Sequence, residues 1–177
     1  MMARFLVFVV LFMFATPSYA VALELVENNN ERLDLRWSDL LPPGEAERIA
    51  KLYQVQAVQT GFNHFGNERM PQIQTFNVVE DLNGKFVKIS GFVLPISFTG
   101  TREIDEFLLV PYQGACIHVP SPPPNQLVYV TSKTPIKIRG IWDPVFIEGI
   151  IYTRRKDSVI ANTAYNIELS KLTNYKH

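Results

Sequence analysis

The sequence predicts a mainly β fold: a small OB-like barrel, closed or partly open, with one N-terminal helix. Three observations point there. From Phe76 onward the chain is a series of short apolar segments separated by turn residues, the pattern of an all-β domain. Only Gly44–Thr60 carries clear helical periodicity. Finally, Val87-Lys88-Ile89-Ser90-Gly91 with Pro95 is echoed by Ile136-Lys137-Ile138-Arg139-Gly140 with Pro144. A glycine inside strand-like sequence marks a bulge or the tight bend of a barrel corner. A β-sandwich is the alternative arrangement of the same strands.

Taken in order, residues 1–20 read as a secretory signal peptide, with Arg4 as the positive end, Phe5–Ala15 as the apolar core and Ser18-Tyr19-Ala20 as the cleavage site. The apolar core is too short for a comfortable membrane span. No cysteine follows Ala20 to carry a lipid, and no later run is long and apolar enough to cross a bilayer. The expectation is a periplasmic or secreted protein with no stable membrane anchor. Residues 21–75 form an N-terminal segment that packs with a barrel domain over 76–177 as a single unit. Leu33–Trp37 alternates like a short strand, and Ser38–Pro43 turns into the helix. Glu45 and Glu47 suit the positive end of the helix dipole, and Ala46, Ile49, Ala50 and Tyr53 share one face. Gly61–Arg69 is a loop containing His64. After the turn at Asn83-Gly84, strands are expected around Val87–Val93 and over Asp105–Pro111, Leu127–Thr131, Ile136–Trp142, Phe146–Thr153 and Ala164–Leu169.

Composition narrows the function classes. Without the first 20 of its 177 residues, the chain keeps 157, enough for one domain with a real core. Its 17 basic residues, of which Arg4 goes with the leader, nearly balance 17 acidic ones. That balance speaks against nucleic acid or an anionic membrane as a partner. A single cysteine, Cys116, forms no disulfide within the chain; it is buried, pairs with another chain, or is a functional thiol.

The candidate site lies between Phe107 and Val130. If the chain is extended there, Cys116 and His118 point the same way. Two such donors suit zinc or copper, with His64, Asp143 or a second copy of the protein completing the set. The same pair suits an activated thiol in an enzyme, and equally a small buried residue beside a hydrogen-bonded histidine. No nucleotide loop, HExxH, GxSxG or CxxC appears, so no catalytic residue is assigned and an enzyme is the less favoured class. Pro120, Pro122, Pro123 and Pro124 predict a stiff polyproline arch. With Asn125, Gln126 and Tyr112 that arch is a candidate docking surface for a protein partner.

Several motifs resemble one family. Trp37 with Asp39-Leu40-Leu41-Pro42 opens the match, and Leu82-Asn83-Gly84-Lys85 and Gly91-Phe92-Val93-Leu94-Pro95 continue it. The most distinctive part runs from Glu106 through Pro111-Tyr112 and Gly114-Ala115-Cys116-Ile117-His118-Val119-Pro120 to Pro122–Gln126. These segments resemble domain-of-unknown-function family 3299, exported bacterial proteins with no assigned reaction. Ser121 interrupts the fuller proline run expected there. The resemblance implies an exported accessory or binding protein. It also implies a periplasmic or membrane-transport partner, such as an ABC-type system, and a link to transition-metal handling through the Cys116/His118 segment.

Overall fold

The computed structural model describes residues 31–59, 71–96, 102–116, 121–140 and 144–175. In chain order it contains β1 (Leu33–Leu35), a 3-10 turn (Trp37–Leu40), α1 (Glu45–Gln59) and a second 3-10 turn (Glu80–Leu82). Next come β2 (Phe86–Pro95), β3 (Glu103–Val110), a third 3-10 turn (Pro124–Gln126), β4 (Val128–Lys137), β5 (Pro144–Tyr152) and β6 (Tyr165–Asn174).

Five of the six strands close into a barrel. The sheet order is β1-β2-β3-β4-β6-β5, and a further pairing of β2 with β5 seals the ring. β4 runs parallel to β6, and the other barrel pairs are antiparallel. β1 is an extra strand laid parallel on β2, Leu33–Leu35 against Val87–Ile89. This is the OB-like barrel with one N-terminal helix, not a sandwich, because one strand serves both ends of the sheet. Phe86–Phe92 of β2 pair β5 and Phe92–Pro95 pair β3, with Phe92 opposite both Pro144 and Val110.

Gly91 sits where β2 changes partner. A Cβ there would lie 2.8 Å from the Leu109 side chain and 2.8 Å from the Val110 carbonyl oxygen. Gly149 is tighter still. It follows a register shift between β5 and β6, and a Cβ would come within 2.2 Å of the Glu168 carbonyl oxygen. Gly140, the counterpart of Gly91 in the sequence echo, lies beyond the end of β4 rather than within a strand. Ile136–Trp142 is not a strand of its own either. Ile136 and Lys137 continue β4, and Ile141–Asp143 fall outside the described residues. The register shows why one strand replaces two: Thr131 pairs Glu106 and Ile136 pairs Ile104, so Pro135 lies in the irregular stretch between them, clear of the regular ladder.

Strand alternation divides the apolar residues into two clusters. Val87, Ile89, Val93, Phe107, Leu109, Val128, Val130, Ile147 and Ile167 fill the barrel, with Leu40 and Leu82 among them. Leu94, Leu108, Val110, Leu127 and Tyr129 face outward and form a second cluster with Ala115, Cys116 and Ala161. Tyr165 joins barrel to N-terminal segment: its hydroxyl donates to the Leu40 carbonyl and accepts from the Val79 N–H, each at 2.7 Å. The leader expected over residues 1–20 and the loop holding His64 lie outside the described residues.

Candidate functional site

β3 leaves the barrel at Val110, and Pro111, which has no N–H to give a ladder, ends it. The chain then turns at Gly114, whose φ is 86°. The Ala115 N–H closes the turn on the Tyr112 carbonyl at 3.4 Å. Cys116 follows at φ 70°, and among the described residues it is the one non-glycine with positive φ. L-residues avoid that region because Cβ crowds the carbonyl oxygen, so surrounding structure must impose it. Cys116 is 2% exposed and packs in the second cluster. Its backbone is therefore not extended, and the strand rule that residues two apart share a face does not describe it.

Two tyrosines stand at this corner. Tyr112 is 45% exposed and Tyr53 on α1 is half-buried. Burial pushes the Tyr53 hydroxyl up to about 12, and the neighbouring Tyr112 and Cys116 add to the rise. Tyr112 is also raised, first by burial and then by Cys116. Each effect resists a second negative charge in the corner. Tyr129, on the outer face of β4, is raised to about 12 by burial and by the nearby Glu106 and Asp105.

In OB folds the outer face of the second and third barrel strands, here β3 and β4, is a common ligand platform. In this chain that face is covered. Leu108, Val110 and Tyr129 pack against Ala115, Cys116 and Ala161, all buried. The segment carrying Cys116 thus lies where such folds elsewhere hold a ligand.

The proline segment differs from the expected exposed arch. Pro122, Pro123, Pro124 and Asn125 are buried, Gln126 is half-buried, and Pro124–Gln126 is a 3-10 turn. Prolines bury cheaply because only their carbonyls need partners, and here three find them. Gln72 Nε2 donates to the Pro122 oxygen at 2.7 Å. The Gln126 N–H donates to Pro123 and the Ala164 N–H to Pro124, both at 2.8 Å. These side chains offer no docking face, although Tyr112 does reach solvent. Pro120, His118, His64 and Asp143 lie outside the described residues. Among the described residues no three His, Cys, Asp or Glu side chains gather as a metal centre.

A buried polar hub lies beside the proline turn. Glu45 is 4% exposed. Its carboxylate accepts from the Thr75 hydroxyl, from Asn77 Nδ2 at 2.8 Å, from Asn125 Nδ2 at 3.3 Å and from Arg48 at 3.3 Å. Burial works to raise its pKa, but the bonds from Thr75, Asn77 and Arg48 outweigh that and hold it below the ordinary value of 4.5. Sequence patterning shows Glu45 only as a first-turn acid of the helix; its role as a hub appears only in the fold.

The family model DUF3299, described as a protein of unknown function, matches residues 37–174. A crystal structure of a DUF3299 family protein from Pseudomonas aeruginosa PAO1 is 31% identical, with a TM-score of 0.64, covering 82% of this chain and 97% of that one. A structure of OBody AM1L10 bound to hen egg-white lysozyme is 15% identical with a TM-score of 0.31, covering 63% of this chain and 99% of that one, and carries no argument. No curated protein matches the chain.

Proposed function

The chain belongs to the DUF3299 family, and on that premise we propose that it is an exported binding protein that holds one soft metal ion at Cys116 as an accessory to a transport system. The observation that carries this reading is the backbone of Cys116. A cysteine is held at φ 70° in a turn where glycine would sit without strain, and its side chain is sealed to 2% exposure. Backbone strain of this kind tends to collect where a side chain must be aimed. Thiolate is the preferred donor for copper(I), which accepts few ligands. Cys116 is the one soft donor among the described residues, and His118 is two residues further along the sequence. That donor set suits copper(I) better than zinc, which wants four ligands in a structural site and would need a second copy of the chain or His64 and Asp143. A catalytic thiol is less well supported, because the Cys116 side chain is 2% exposed and so closed to substrate.

The test is metal analysis of the protein purified without chelator or nickel affinity, beside Cys116→Ser. About one copper or zinc per chain, absent from the variant, supports the reading. A metal-free protein that takes up neither ion, or equal metal in both samples, refutes it.

A further inference from the structure

β4 and β6 run side by side at first and then part. Their parallel pairing joins Val128–Thr131 to Tyr165–Glu168 and stops there. Both strands carry on, β4 to Lys137 and β6 to Asn174. β4 loses register with β3 past Thr131 and regains it where Ile136 meets Ile104. β6 keeps β5 on one side as far as Asn174. On its other side, among the described residues, no strand pairs Leu169–Asn174. Burial stops at the same level. Val130 and Ile167 are 0% and 1% exposed, and past them no residue of either strand is buried.

The two strands thus form a fork. At its root is a cleft of about 250 Å³, lined by Thr131, Ser132, Lys133, Glu168 and Leu169. Ile136, Leu169 and Leu172 pack against the barrel core from the two arms and remain partly exposed. The fork opens beyond Thr131, whereas the chain leaves for Cys116 from Val110, at the other end of β4, where Leu109 pairs Val128. It is therefore separate from the corner assigned above to metal.

The backbone and the charge say what fits there. A free strand edge offers N–H and C=O groups at a regular spacing, and another strand is what matches that row. Lys133 and Lys137 are exposed and form no ion pair among the described residues. Lys171 lies 3.8 Å from Glu148, and Glu103 stands opposite Lys137 across the β3–β4 ladder. Glu168 is the one acid lining the cleft. Two copies of this chain joined edge to edge through β6 would set these lysines against each other, and like charges across a ladder repel. An acidic strand complements them.

We propose that the fork between β4 and β6 binds an acidic, extended segment of a partner protein. The segment enters as an added strand on the free edge of β6, with alternate apolar side chains set against Leu169 and Leu172. Recognition is of backbone and charge, so a designed peptide suffices to test it.

The probe is a short acetylated peptide of alternating glutamate and valine, labelled with fluorescein and added to the native full chain. Its anisotropy is compared with that of a lysine–valine peptide and of the acidic peptide N-methylated throughout. The acidic peptide is expected to bind roughly 10-fold more tightly than the lysine peptide, and N-methylation to abolish binding. Bound peptide should slow amide exchange at Leu169–Asn174 roughly 10-fold and leave β2 and β3 unchanged. In the double variant Lys133→Glu, Lys171→Glu, both positions being exposed, the preference should reverse in favour of the lysine peptide. Failure of the acidic peptide to bind, binding kept after N-methylation, protection outside Leu169–Asn174, or an unchanged preference in the variant overturns the proposal. So does a dimer whose Leu169–Asn174 amides are protected with no peptide present, because the edge would then be the chain's own interface.

Discussion

Replacing Cys116 with glycine and with alanine makes opposite demands on the backbone and on the core. Both variants lose the thiol, so that loss cancels between them. At an ordinary buried position alanine is the more stable, by about 0.8 kcal/mol for the extra buried carbon and about 0.5–1 kcal/mol for the freedom glycine loses on folding. The expected margin is about 1.5 kcal/mol in favour of alanine. At φ 70° alanine incurs a left-handed penalty of about 1–2 kcal/mol that glycine avoids. The two terms nearly cancel, so Cys116→Gly should match Cys116→Ala to within about 0.5 kcal/mol. Urea unfolding of both variants measures the difference as a shift in midpoint at constant slope. If alanine keeps its full margin of about 1.5 kcal/mol, Cys116 is not held in a left-handed turn and the strain argument for the site fails.

Three further outcomes follow from the same structure. Gly149→Ala forces a Cβ to within 2.2 Å of the Glu168 carbonyl oxygen, which belongs to backbone and cannot swing aside; a loss of about 3 kcal/mol and a fall in Tm of roughly 10 °C are expected by thermal unfolding. Tyr165→Phe leaves the partly buried Val79 N–H and the buried Leu40 carbonyl without the hydroxyl that now bridges them, at a cost of about 2 kcal/mol by urea unfolding. Glu45 is held below its ordinary value of 4.5, chiefly by donated hydrogen bonds against the pull of burial, and Arg48 is the charged group among its partners. The unfolded chain therefore takes up the proton first as pH falls, so this stabilisation is present above 4.5 and is lost on acidification through the lower folded value. Stability curves of wild type and Glu45→Gln should converge at acid pH, and parallel curves would show that Glu45 does not titrate as described.

Much of the barrel was legible because one-sided burial writes itself into alternation. Val87, Ile89 and Val93 on β2, and Tyr165 and Ile167 on β6, repeat every second residue and do face the barrel interior. Gly91 was legible for a related reason: a strand that passes from one neighbour to another must bend, and the bend leaves no room for a Cβ beside Leu109. The separation expected between strands Leu127–Thr131 and Ile136–Trp142 was misleading, since an irregular stretch lets one strand carry a proline that a regular ladder would reject. At the site, Cys116 stood out as the single cysteine, but its left-handed backbone was hidden. Gly114 announces a turn, and nothing local says that the following cysteine shares in it. The proline run was legible as stiff but not as buried, because its cover comes from Gln72 and Ala164, far away in sequence. Glu45 was the least legible. Its partners Thr75, Asn77 and Asn125 are 30, 32 and 80 residues away, and no periodicity records contacts of that range.

Thiolate ligation at Cys116 has a direct chemical signature, because a metal that binds a thiol displaces its proton. The measurement is proton release on adding copper(I) anaerobically to the metal-free protein near pH 7, with zinc in parallel and Cys116→Ser as the reference. Saturation is expected at about one copper per chain, with up to about one proton released from the wild type and none from the variant. Saturable binding with no proton released, or identical release from Cys116→Ser, would contradict it and return Cys116 to the apolar cluster as a packed side chain.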